Sequence, residues 1–136
     1  MKKITITGIV ALLISLTLNT FAQDKPEKVY VVRRTGSGGS AINYRIFIDD
    51  ILVCKIKNKR YTIQDVKPGE HTIYITAGGI PDGRKPVPIK FTVTQGKSNY
   101  FLINNGNELI ATETTQSSAE PLIAKSTLVT DCKTEQ

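Results

Sequence analysis

The chain has 136 residues, 18 of them Lys or Arg against 12 Asp or Glu, giving a formal charge of +6, and 40% of its residues are hydrophobic. That length supports one domain with one core and leaves little room for a second. Two cysteines and a single, distant histidine argue against a metal centre, and we expect no metal and no cofactor.

The chain opens with Met1-Lys2-Lys3, runs apolar from Ile4 to Leu18, and reaches small residues at Thr20 and Ala22. A basic start, an apolar run and a small-residue exit predict a signal peptide over 1–22, cleaved after Ala22. A membrane anchor would need roughly 20 apolar residues in sequence, and Asn19 and Thr20 interrupt the run first. No Cys follows for lipid attachment. The reading is therefore an exported protein, periplasmic or secreted, with no transmembrane span once processed. About 114 residues remain, carrying a charge of about +4. Residues 23–27 form a lead-in, 28–129 the domain, and 130–136 a flexible tail.

Lys28 to Arg34 holds Val29, Tyr30, Val31 and Val32, a β-branched and aromatic run that predicts a strand, followed by a Gly/Ser loop from Thr35 to Ser40. Ala41 to Asp49 alternates, with Ile42, Tyr44, Ile46 and Ile48 on one face and Asn43, Arg45, Phe47 and Asp49 on the other. Asp49-Asp50 supplies a turn. Ile51 to Lys57 continues as a strand with Leu52, Cys54 and Ile56 expected inward, and Asn58-Lys59 turns again. Arg60 to Val66 is expected to bury Tyr61, Ile63 and Val66, before the turn Lys67-Pro68-Gly69-Glu70. Glu70 to Ala77 alternates His71, Ile73 and Ile75 against Thr72, Tyr74 and Thr76.

Gly78 to Pro86 contains too many Gly and Pro residues for regular structure and predicts a long, exposed, basic loop. Strands follow at Pro88–Thr94 and at Asn99–Asn104, the second expected to bury Tyr100 and Leu102, with Phe101 and Ile103 as further candidates. Asn105-Gly106 turns into a short strand from Glu108 to Thr112. Ser117 or Ser118 can cap a helical turn reaching Ala124 or Lys125; the alternative is an edge strand at Leu122–Ala124, and the helical turn is favoured. The sum is an all-β domain, a single antiparallel β-sandwich or a partly open barrel of about seven to eight short strands.

Val29-Tyr30-Val31-Val32-Arg33-Arg34, then Tyr44-x-Ile46-x-Ile48-Asp49, Tyr61, Pro68-Gly69-Glu70-His71-Thr72 and Gly96-Lys97-Ser98-Asn99-Tyr100-Phe101 resemble the bacterial envelope family named domain of unknown function 2846. The same turn grammar is similar to Pro-Glu-Gly-Ala surface modules. The resemblance covers Val29 to Ile110 and implies a β-sandwich envelope domain without an enzymatic role, with no catalytic residues to transfer. Asp50 stands where Gly is usual in that family's first hairpin, which predicts a wider turn here.

Catalytic readings are weak throughout. His71 is the sole imidazole, and no Ser lies in a nucleophile-elbow context. Asp49 and Asp50 are neighbours at a strand end and point to opposite faces, so they read as turn residues rather than paired carboxylates. Gly96-Lys97-Ser98 ends like a phosphate-binding loop, but Phe91 occupies the place of its first Gly and a strand follows instead of a helix.

Cys54 and Cys132 can pair in an oxidising compartment, a bridge worth roughly 4 kcal/mol by loop closure. Spacing alone leaves pairing and non-pairing equally open. The expected function is that of a non-enzymatic binding or structural module at the envelope. Its recognition surface would be the loops 35–40 and 78–86, with Arg33, Arg34, Arg84 and Lys85 as binding residues. An envelope protein, an anionic glycan or a lipid headgroup would serve as partner; export disfavours nucleic acid. A carrier of an apolar ligand between the sheets is the alternative, requiring a cavity of about 300 Å³ or more, and a hydrolase using His71 stands third. Oligomeric state is left open.

Overall fold

The computed structural model describes residues 24–37, 41–79 and 83–132. The expected signal peptide and its cleavage point lie outside the described residues, as does the end of the tail beyond 132. The strands are β1 (Glu27–Arg33), β2 (Tyr44–Ile48), β3 (Ile51–Ile56), β4 (Arg60–Val66), β5 (Gly69–Ala77), β6 (Ile89–Val93), β7 (Asn99–Asn105), β8 (Leu109–Thr114) and β9 (Thr127–Leu128). One helix, α1 (Gln116–Ala124), precedes β9.

Two sheets face each other. The first runs β8-β7-β1-β4-β9 and the second β3-β2-β5-β6. The architecture is all-β and sandwich-like, as the alternating strands predict, although β1 with β7 and β4 with β9 pair in parallel. The segment from Asn43 to Thr76 is not a simple meander. β2 and β3 form a hairpin in the second sheet, β4 leaves for the first, and β5 returns to pair with β2. The Pro68-Gly69 turn therefore carries the chain between layers, with Gly69 at φ 132° where a side chain would be strained.

The core lies between the sheets: Val29, Val31, Phe101 and Ile103 from one side meet Tyr44, Ile46, Ile56, Ile73 and Ile75 from the other. Three expectations about strand faces are corrected. In β4, Thr62 and Val66 are buried inward while Tyr61 and Ile63 are half-buried on the outer face. In β7, Phe101 and Ile103 face the core and Tyr100 and Leu102 face outward. For β7 the reason is that α1 packs over β7 and β1, so this part of the sheet is covered on two sides and alternation cannot tell inside from outside. Tyr30 and Tyr100 stack there, ring centroids 4.7 Å apart, on the face where phenols can reach water. In β3, Val53 is an extra, bulged residue between the Ile46–Cys54 and Phe47–Leu52 pairs, which sets Leu52 opposite Phe47 on the outer face and leaves Val53 packed against the core.

Asp49 and Asp50 take φ values of 49° and 64°, making a tight two-residue hairpin turn of the primed type rather than the wider one expected. Asp tolerates the left-handed region better than most residues. The helix over 116–124 forms, but its N-cap is Thr115, whose hydroxyl accepts from the Ser118 amide, and Pro121 lies inside it rather than in the first turn.

β9 lies along β4, with the Thr127 amide donating to the Lys59 carbonyl and the Val129 amide to the Tyr61 carbonyl. The chain then reaches Cys132, which is disulfide-bonded to Cys54 on β3 with the Cα atoms 4.6 Å apart. Residues 127–132 thus strap one open side of the sandwich, joining the edge of the first sheet to the edge of the second.

Candidate functional site

The structure separates the expected binding residues. Arg33 is not at the surface at all: it ends β1 fully buried, so the expectation that it binds a partner is corrected. Its guanidinium lies over the Tyr44 ring, 3.5 Å from the centroid, and donates to the carbonyls of Ile42 and Ile56. Burial lowers its pKa, opposed by Tyr44, and the group stays charged. Alternation places Arg33 inward with Val29 and Val31, and a buried Arg finds partners in carbonyls that the strand ends leave free.

Arg34 points the other way and donates to the Lys125 carbonyl at 2.6 Å, closing the C-terminal end of α1. Thr35 and Gly36, at the start of the first expected recognition loop, are pinned by Asn58, whose amide donates to both of their carbonyls. Residues 38–40 of that loop and 80–82 of the second lie outside the described residues. Gly78, expected to be exposed, is buried: its amide donates to the Asn43 carbonyl at 2.7 Å, and a Cβ there would lie 2.8 Å from the same oxygen.

His71 sits on the inner phase of β5 at the edge of the core, its ring 5.8 Å from that of Phe91. Nδ1 bonds to Asp49 Oδ2 at 2.5 Å and Nε2 to the Lys67 carbonyl at 2.7 Å. Both partners accept, so the arrangement favours the doubly protonated ring. Partial burial would pull its pKa down, but the hydrogen bonds to Asp49 and Lys67 and the Asp49 charge outweigh this and hold it above the ordinary 6.5. Burial alone would raise Asp49; its bonds to His71 and the Thr72 amide, with the His71 charge, hold it below 3.8. With both ring nitrogens engaged, this arrangement clamps the β2–β3 turn to β5. A cleft of about 240 Å³ lies beside it, walled by Glu70, Thr72, Lys90, Phe91 and Thr92.

A different set of side chains is brought together on the outer face of the second sheet. Cross-strand register sets Arg45 opposite Lys55 on one side and Thr76 on the other, and Phe47 opposite Tyr74. The Phe47 and Tyr74 rings stack at 4.7 Å with an 8° tilt. Gly83, Arg84 and Pro86 of the long loop join them in lining an open cleft of about 490 Å³. A second cleft of about 330 Å³, walled by Ile42, Asn43, Lys55 and Gly78, shares Arg45 and Gly79 with the first. Of the expected residues, Arg84 lines this site, its guanidinium donating to Asn105 Oδ1 at 2.6 Å; Lys85 is exposed beside it.

Among the described residues, neither Arg45 nor Lys55 has a carboxylate or hydrogen-bond partner. Like charges directly opposite on adjacent strands repel. The far end of the same sheet is mixed in charge, with Asp49, Asp50 and Glu70 exposed there beside Lys90. Burial and then Asp50, its hydrogen-bond partner, raise the Tyr74 phenol, keeping it a neutral donor. The signal for this site was present in the sequence, since Arg45 and Phe47 fall on the outward phase of β2 and Tyr74 and Thr76 on that of β5. Only the strand register places them side by side.

None of these clefts is walled by the inner faces of both sheets. Among the described residues, no group of three or more His, Cys, Asp or Glu could hold a metal ion, and no helix is long and apolar enough to cross a membrane. Comparison of the chain with family models, with curated proteins and with solved structures finds no match.

Proposed function

We propose that this protein is an exported, non-enzymatic β-sandwich module that binds an anionic component of the bacterial cell envelope through the outer face of β2, β3 and β5. The observation that carries the reading is the Arg45–Lys55 pair: two cations held opposite each other, without a carboxylate partner among the described residues, beside an aromatic cleft. Such a pair destabilises the sheet by itself and is relieved by an anion. The leader at residues 1–22 and the resemblance to an envelope family support the address. The doubly bonded His71 supports a binding role over a hydrolytic one. Inner faces packed against each other give the apolar-carrier reading no support.

The test is capture of partners from envelope extract by residues 23–136, comparing the native protein with an Arg45→Glu/Lys55→Glu variant whose fold is checked by circular dichroism. The native protein should retain an anionic component that the variant loses by roughly tenfold or more, with binding weakening as salt rises. An identical captured set from both proteins would overturn the proposal.

A further inference from the structure

Resting on that reading and naming its ligand class, we infer that the joined clefts hold a short run of an acidic polysaccharide, a sugar chain bearing carboxylate or sulfate groups. The first argument is shape. The two clefts meet at Arg45, so the site is a groove rather than a socket. From Lys55 on β3 across Arg45 on β2 to Thr76 on β5 it spans two strand spacings, about 10 Å, and Arg84 extends it further. A single small anion would occupy only one end.

The second argument is chemistry. The groove sets cations on both sides of an apolar ring surface: Lys55 and Arg45, the Phe47–Tyr74 stack, then Arg84. Sugars present C–H faces between polar edges, and an acidic chain adds a carboxylate or sulfate at intervals, which an Arg fork meets in bidentate fashion. The Thr76 hydroxyl on the groove wall is a ready donor to a ring hydroxyl. Gly79 brings bare backbone to the wall where both clefts meet.

The same face argues against a bilayer. Asp50 and Glu70 are exposed at its other end with Lys90 the cation beside them, so a flat anionic surface laid along the whole face would meet carboxylates as well as cations. Phe47 and Tyr74 are half-buried in the sheet and stacked on each other, and do not protrude to enter lipid. A folded acidic protein would ask for roughly 800 Å² of contact on each partner, broader than the cleft that Arg45, Phe47, Tyr74 and Arg84 line.

The experiment is calorimetric titration of residues 23–136 with a galacturonate hexamer, a sulfated heparin hexasaccharide and the neutral maltohexaose, alongside sedimentation with vesicles of phosphatidylglycerol and phosphatidylcholine. At least one acidic hexamer should bind ten times or more tighter than the neutral one. Arg45→Gln should reduce that binding at least fivefold, and Tyr74→Ile, which removes the ring but suits a strand, should do likewise without lowering binding to vesicles. Absence of binding to both acidic hexamers, or binding that Arg45→Gln leaves unchanged, overturns the inference. If Arg45-dependent capture from envelope extract persists in that case, the partner is a protein or lipid and the binding-module reading stands. If it too is lost, both fall.

Discussion

Reducing the Cys54–Cys132 bridge should destabilise this domain more than any single surface change. The bridge spans 78 residues of sequence, and the chain-entropy relation assigns a loop of that length about 4.5 kcal/mol. Roughly 110 ordered residues imply an unfolding entropy near 0.23 kcal/mol per kelvin, so the full entropic effect corresponds to about 20 °C in Tm. Bridges commonly deliver less, about 2 kcal/mol at the lower end, which sets the expected fall at about 10–20 °C. Cys132→Ala is the cleaner perturbation, because it leaves the fully buried Cys54 side chain in the core. Thermal melts of the native protein with and without a phosphine reductant, and of Cys132→Ala, should agree. Urea titration separates the causes: an unfolded chain freed of its crosslink exposes more surface, so the m-value should rise as stability falls. A Tm change under 3 °C on reduction would refute the estimate. A large fall with unchanged m would show that the strap acts through native packing and that the loop-closure reasoning is wrong.

Arg33→Met keeps the volume of a fully buried side chain but strips the donors from the Ile42 and Ile56 carbonyls. Each orphaned acceptor costs about 1–3 kcal/mol, so urea unfolding should show a loss of about 2–5 kcal/mol that Arg33→Lys does not restore, since one ammonium lacks the planar fork; a neutral result would deny the buried role. For the His71–Asp49 clamp the sign follows from both shifts. The raised His71 contributes fully below its ordinary 6.5 and is lost as pH rises through its higher folded value; the lowered Asp49 contributes fully above 3.8 and is lost as pH falls through its lower one. The stability gap between the native protein and His71→Gln should therefore be widest between those two values and narrow on either side. Solvent screening of the half-exposed Asp49 limits it to about 1 kcal/mol, and a gap independent of pH would remove the clamp.

What could be read from sequence depended on how far each residue's role was local. The strands β1 to β8 follow from alternation and turn chemistry, which act over a few residues. Asp49-Asp50, Pro68-Gly69 and Gln95-Gly96-Lys97 mark turns because the φ values they need are intrinsic to those residue types. Ile46, Ile48, Ile73 and Ile75 face the core as their periodicity predicts, because one face of their sheet is open to water. Tyr61, Tyr100, Phe101 and Leu52 were not legible in the same way. Tyr100 lies on the face of β7 that α1 covers, Tyr61 sits half-buried on the outer phase of β4, and a one-residue bulge shifts the phase of Leu52. Arg33 reads as a surface cation until the ends of β2 and β3 place their carbonyls around it.

The sequence by itself determined an all-β chain, its turns and most of its inward residues, because period-two alternation and backbone preference are properties of neighbouring residues. The tertiary structure alone decided which strands share a sheet, that Cys54 meets Cys132, and that Arg45, Lys55, Phe47, Tyr74 and Arg84 converge. Those contacts join residues tens of positions apart, and only strand register and the crossing of the chain between layers bring them within reach.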